Sequence, residues 1–175
     1  MRQPPGAVRL TTSRYGKALV RDGPQFNLSH SGSVAVVAVH PWLPVGIDVE
    51  QRDRAVSGDS LASCLSPAEE GVPPSDRAGW LRLWVRKEAV IKALGLGLSS
   101  DLTTFDVGHT ARAAYAWWSL CRDDWAPLQI CTAELPTGDP IALAVVSGTA
   151  PGPVAGPEQC DAAELVRTGT LLSAT

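Results

Sequence analysis

Two short stretches place acids where a fold can bring them together. In VGIDVE, residues 45–50, Asp48 and Glu50 stand two apart. On a β-strand that spacing puts both carboxylates on one face and turns Ile47 and Val49 to the other, toward a core. Two like charges on one face repel, and in a partly buried site the repulsion raises a carboxyl pKa. A divalent cation removes the conflict: Mg²⁺ takes oxygen ligands in octahedral geometry, usually from one or two carboxylates, with waters and phosphates completing its shell. An exposed strand end with two solvated acids is the plainer alternative, and the stretch by itself leaves it open.

The second stretch is WVRKEAVIKALG, residues 84–95. Glu88 and Lys92 form an i, i+4 pair with the acid first, the better orientation on a helix surface. A surface pair of that kind is worth only about 0.3–0.5 kcal/mol, so stability explains little of it. Glu88 also lies on the flank that carries Trp84 and Ile91, one turn from each. If this helix packs across the VGIDVE strand, Glu88 becomes a third carboxylate beside Asp48 and Glu50, and Lys92 reaches a phosphate next to the metal.

FNLSHSG, residues 26–32, adds Ser29, His30 and Ser31 near a strand end, groups able to bind an anion. A Ser29/His30 hydrolase is a further reading, but the local order is not G-x-S-x-G, so the nucleophile-elbow geometry is absent. In YGK, residues 15–17, Lys17 follows a glycine, Gly16, that allows close backbone approach.

Elements that can position these groups are visible in the pattern. FNLSHSG, the β-branched and alanine run SVAVVAVH (33–40), and VGIDVE (45–50) read as three strands, the second buried, and their short spacing predicts antiparallel neighbours. LSPAEEG (65–71) carries a helix start, with Ser66 as N-cap, Pro67 at N1 and Glu69 completing a capping box. A longer helix follows from Asp76 as N-cap, with Trp80, Leu83, Trp84, Ile91 and Leu94 at helical spacing, and Gly95 and Gly97 closing it. TTFDV, AAYAWWSL, PLQICTAEL and PIALAVVS then read as strands. The last 27 residues, 149–175, read as a flexible tail with a weak helix at 160–167.

Composition sets the outer limits. A chain of 175 residues, 45% apolar, fits one domain or two small subdomains with a core. Its formal charge of −3 argues against bulk nucleic-acid binding. Cys64, Cys121, Cys131 and Cys160 form no C-x-x-C pair and sit beside no histidine at zinc-finger spacing, so four reduced thiols in a cytoplasmic protein are expected. MRQPPGAVRL has no apolar core of a signal peptide. The longest apolar run, 33–47, is broken by His40, Pro41 and Pro44 and is too short to span a bilayer.

In this order, YGK, FNLSHSG, GIDVE and WVRKEAVIKALGLGL resemble the 4′-phosphopantetheinyl transferases of the larger, pseudo-dimeric class, whose type member activates surfactin synthetase; the resemblance covers roughly residues 14–147. It implies an α+β fold of that type, with antiparallel sheets and a long helix packed on them. It also implies an enzyme that uses Mg²⁺, takes coenzyme A as substrate, moves its phosphopantetheine arm onto a serine of an acyl or peptidyl carrier protein, and releases adenosine 3′,5′-bisphosphate. By motif position, Asp48, Glu50 and Glu88 are the implied metal carboxylates. Glu88 also helps deprotonate the carrier serine, and Lys92 meets the pyrophosphate. Ser29 and His30 lie near the coenzyme A phosphates, Gly16 and Lys17 in the nucleotide-contacting segment. Asp48, Glu88 and Lys92 form the implied catalytic set, and residues 52–75 help dock the carrier.

The sequence departs from that pattern in two ways. Ala18 stands where the family's usual proline follows the GK pair, and only 25 residues precede Phe26. The expected organisation is a remnant of a first subdomain over 1–50 ending in the metal strand, a second subdomain over 51–148, and the tail. Three alternatives follow: a truncated form, a homodimer that covers the exposed sheet, or a weak or non-catalytic homologue that binds coenzyme A or a carrier protein.

Overall fold

The computed structural model describes residues 4–54, 63–72, 76–97, 100–108 and 117–147. The fold is α+β, with antiparallel sheets and one long helix. Strands β1 (Leu10–Thr12) and β2 (Ala18–Val20) form a small antiparallel pair, and β3 (Gln25–Ser31) and β4 (Val34–His40) form a longer hairpin. A four-stranded antiparallel sheet follows in the order β5 (Val45–Val49), β8 (Pro140–Val146), β7 (Leu128–Glu134), β6 (Trp117–Leu120).

Helix α1 (Arg77–Leu94) has the ends its sequence predicts. The Asp76 side chain accepts from the Gly79 N–H at 2.8 Å, meeting one of the donors a helix start leaves unpaired. Gly95 takes a left-handed φ of +69°, and the Leu96 N–H closes back on the Ile91 carbonyl at 3.2 Å. Ser66 and Glu69 bound only a 3₁₀ turn, Pro67–Glu69, in which the Glu69 carboxylate accepts from the Ser66 N–H as a capping box requires.

The central sheet is covered on both faces. Toward α1 it turns Leu128, Ile130, Ala142 and Ala144, which pack with Leu83, Val90 and Phe105. Toward the hairpin it turns Val45, Ile47 and Val145, which pack with Ala38 and Val36 of β4. β5 lies against the helix so closely that a methyl group on Gly46 would stand 2.0 Å from the Ala89 carbonyl oxygen, which is why this position of the acid strand is a glycine.

Three expectations change. β5 does not join β3 and β4 in one antiparallel ladder; its main chain pairs with β8, and the hairpin stays a two-stranded sheet of its own. β4 is not buried throughout: its residues alternate, and Val37 and Val39 are exposed on the face turned from the core. TTFDV is not a strand. Leu102–Thr104 is a 3₁₀ turn, and although Phe105 is extended, side chains rather than a neighbouring strand take up the backbone here. Lys87 Nζ donates to the carbonyls of Leu102 (2.7 Å) and Phe105 (2.6 Å), and the Val107 N–H donates to Glu69 Oε1 (2.9 Å). The strand expected over AAYAWWSL is described only from Trp117 on, and the tail with its weak helix lies outside the described residues.

Candidate functional site

An open cleft of about 340 Å³ lies where β3, β5 and α1 meet. Its walls are Leu28, Ser29, His30, Asp48, Glu50, Trp84, Glu88 and Lys92. Each acid arrives by simple periodicity. Asp48 and Glu50 share the helix-side face of β5. Glu88 and Lys92 are one turn apart on the flank of α1 that crosses that strand. The close approach at Gly46 sets the distance between the two elements.

The cleft is rich in charge and poor in water contact. Asp48, Glu50 and Glu88 are all buried. Burial raises the Asp48 pKa above its ordinary value, and the nearby Lys92 opposes that rise. Burial likewise raises Glu88, and the neighbouring charges of Asp48 and Glu50 push it further up. Asp48 Oδ1 accepts from Lys92 Nζ at 2.5 Å and from the Ser29 hydroxyl at 2.7 Å. Asp48 Oδ2 is buried with no hydrogen-bond partner. Glu50 is ion-paired with Arg54 and accepts from the Ser31 hydroxyl at 2.7 Å. Among the described residues no group of three His, Cys, Asp or Glu side chains is already arranged to hold a metal ion; two of these acids are drawn instead to the bases beside them.

The structure thus brings together Ser29, His30, Asp48, Glu50, Glu88 and Lys92 and leaves Gly16 and Lys17 out. Gly16 sits in the β1–β2 turn with φ +83°. Lys17 Nζ donates to the carbonyls of Val45 (2.9 Å), Lys92 (2.8 Å) and Ala93 (3.2 Å). Two of these acceptors lie at the C-terminal end of α1, where carbonyls lack intrahelical partners and the dipole favours a cation, and the third, Val45, opens β5, so all three N–H groups are spent on backbone. Ser29 is no hydrolase nucleophile here, because its hydroxyl donates to Asp48 Oδ1 and not to His30. Of the stretch 52–75, residues 55–62 and 73–75 lie outside the described residues.

Sequence reasoning missed one group that shapes this region, Lys87, and read another, Ser31, as able to bind an anion. Lys87, adjacent to Glu88, is fully buried in an ion pair with Glu69 at 2.6 Å. Ser31, outside the cleft wall, holds Glu50. The signal for Ser31 was present: Asn27, Ser29 and Ser31 alternate as hydrogen-bonding residues along one face of a strand.

A mixed fold that gathers three buried acids, a lysine and a histidine around one cleft defines a protein with a charge-dense polar site. The sequence model described as the 4′-phosphopantetheinyl transferase superfamily matches residues 44–145, and the chain belongs to that superfamily. It is 38% identical over 136 residues to the 4′-phosphopantetheinyl transferase psf-1 of Bacillus pumilus, covering 71% of this chain and 51% of that one. It is 34% identical over 107 residues to the 4′-phosphopantetheinyl transferase Sfp of Bacillus subtilis (57% and 47%). To the 4′-phosphopantetheinyl transferase AcpT of Salmonella typhimurium it is 31% identical over 113 residues (61% and 57%). The chain spans about half the length of these relatives.

Proposed function

We propose that this chain transfers the 4′-phosphopantetheine arm of coenzyme A to a serine of an acyl or peptidyl carrier protein in the cytoplasm and releases adenosine 3′,5′-bisphosphate. The observation that carries the reading is the gathering of Asp48, Glu50, Glu88 and Lys92 on one cleft, in a chain of this superfamily.

The residues present fit a divalent cation. Asp48 Oδ2 is buried and unpartnered, and burial together with mutual repulsion makes the acids costly to keep charged without a counter-ion. Asp48, Glu50 and Glu88 would hold Mg²⁺, which when bound supplies charge neutralisation and alignment on the diphosphate. The chain's own side chains account for the rest. In the reaction the carrier serine oxygen forms a bond to the phosphorus that bears the pantetheine arm, and the bond from that phosphorus to the bridging oxygen breaks. The electron pair leaves with adenosine 3′,5′-bisphosphate, and the serine proton passes to a base. Glu88, with its raised pKa, is that base, directly or through a water. Lys92 donates to the diphosphate, and His30 and Ser29 stand beside the phosphates. Such a reaction needs alignment and charge stabilisation more than covalent help from the protein.

The test is mass spectrometry of a panel of apo carrier domains after incubation with coenzyme A and Mg²⁺. The expected result is a mass increase equal to the arm on at least one carrier, lost in Asp48→Ala and Glu88→Ala. Full rate in either variant would remove the site assignment.

A second reading, binding of coenzyme A or a carrier without transfer, is favoured by one observation: Lys92 and Arg54 already neutralise Asp48 and Glu50. Calorimetry that detects coenzyme A binding, with no transfer to any carrier in the panel, would select it. We also propose that the chain forms a homodimer through the exposed face of the β3–β4 hairpin. The net charge of −3 weighs against bulk nucleic-acid binding, and among the described residues no helix is long and apolar enough to cross a membrane.

A further inference from the structure

β3 runs beside β5 with no main-chain ladder between them. Its alternating side chains do the joining. The Ile47 N–H donates to Asn27 Oδ1 at 2.9 Å, the Val49 N–H to Ser29 Oγ at 3.4 Å, and the Gln51 N–H to Ser31 Oγ at 3.0 Å. Three acceptors spaced by two on one strand meet three donors spaced by two on the other, in the same direction.

Two rungs of this ladder do more. Each serine hydroxyl, while accepting from an N–H of β5 or of Gln51 just beyond it, donates its own proton to the carboxylate of the residue just before that N–H. Ser29 donates to Asp48 Oδ1 at 2.7 Å, and Ser31 donates to Glu50 Oε2 at 2.7 Å. The same two-bond unit is thus repeated for both acids of the DVE motif. A carboxylate held by one oxygen has its side-chain torsions fixed and its other oxygen aimed, which leaves Asp48 Oδ2 free of partners and gives Glu50 Oε1 to Arg54. Ser29 lines the cleft and can touch a ligand. Ser31 is 5% exposed, lies outside the cleft wall, and among the described residues its hydroxyl bonds only to Glu50 and the Gln51 N–H.

We infer that Ser31 is a positioning residue for a bound divalent cation: through Glu50, its hydroxyl pre-sets the acid cluster in which the cation binds. The inference rests on the cation-binding reading of the cleft. Hydrogen bonds that orient ligating carboxylates typically contribute about 10–100-fold to metal affinity.

The test is Mn²⁺ binding to the full chain, read by the loss of the free-ion electron paramagnetic resonance signal and confirmed by competition with Mg²⁺. Ser31→Ala is expected to weaken Mn²⁺ binding by about tenfold or more. Ser31→Thr, which keeps the hydroxyl, should bind within about threefold of the parent chain, well short of that typical loss. Ser31→Cys, close in size but a poor hydrogen-bond donor, should behave like alanine, and it stands in for alanine if that variant does not fold. If the parent chain binds Mn²⁺ and the Ala or Cys variants bind it equally well, the inference is wrong and the cation reading survives. A threonine variant as weak as alanine would point to volume rather than the hydroxyl and also overturn it. A parent chain that binds no Mn²⁺, with or without coenzyme A, would overturn the cation reading and this inference together.

Discussion

Glu88 combines two liabilities that a functional acid can carry and a structural one would not. It is buried, and no described residue hydrogen-bonds its carboxylate. Its folded-state pKa, like that of Asp48, lies above its ordinary value. In metal-free protein the folded state therefore holds more protons than the unfolded chain, from the ordinary carboxylate range up to the raised values. The stability contribution of both groups falls as pH rises through that window. Glu88→Gln should raise the unfolding free energy relative to the parent at pH 7.5 in EDTA, with little difference at pH 4. Denaturant titrations of both proteins across that range check it, and a difference that does not change with pH would contradict it. Activity should be lost in the same variant, so this position exchanges stability for chemistry.

Lys17 makes the opposite case. Its donors are spent on three backbone carbonyls, so Lys17→Met should lower stability by about 1–2 kcal/mol, through lost hydrogen bonds and a lost helix-end cation, without weakening coenzyme A binding. Calorimetry showing a tenfold loss of coenzyme A affinity would restore the nucleotide-contact role that its motif position suggests.

At the level of elements, α1 is the part that organises everything else, and three of its charged residues, Arg86, Lys87 and Glu88, are as buried as its apolar ones. Lys87 meets Glu69, and the pair ties the Pro67–Glu69 turn and the segment after Leu102 to the helix. Every donor of the ammonium is used. Lys87→Met should cost about 3–5 kcal/mol because it leaves Glu69 buried without a counter-charge, and adding Glu69→Gln should recover part of that loss. Chemical denaturation of the single and double variants measures it; equal stability of the two would mean that the charge of Glu69 is not what the lysine offsets.

The same elements show what a linear reading can reach. Helix ends, the shared face of Asp48 and Glu50, and the place of Glu88 and Lys92 were legible because each follows from a local period or a capping residue. The pairing of β5 with β8 was not, since β8 lies about a hundred residues further on and strand spacing favours the nearer partner. Nor could pattern alone tell Phe105–Val107 from a strand, because Phe105 is extended but the hydrogen bonds of Phe105 and Val107 go to Lys87 and Glu69. Lys17 misled for a related reason: a motif fixes where a residue sits in the chain but not which acceptors crowd around it.

For the molecule as a whole, the β3–β4 hairpin leaves an apolar face open. Leu28, Val37, Val39 and Trp42 are 54%, 58%, 46% and 83% exposed, and Leu28 and Val37 are direct cross-strand partners. A contiguous apolar patch of this kind marks an association surface. Light scattering should find a concentration-dependent dimer that Val37→Lys converts to monomer; a parent chain that stays monomeric at high concentration would remove the homodimer proposal.

The joint between β3 and β5 also gives β5 two unlike borders. On the β8 side it is held by main-chain pairing, and on the β3 side by amide and hydroxyl side chains. Opening the hairpin away from β5 would break these side-chain bonds and the packing of Val36 and Ala38 on Val45, Ile47 and Val145, but no main-chain ladder, so it should cost less free energy than global unfolding. In deuterium exchange, the amides of Ile47, Val49 and Gln51 should label well before those of the central sheet, and ligand binding in the adjoining cleft should slow them.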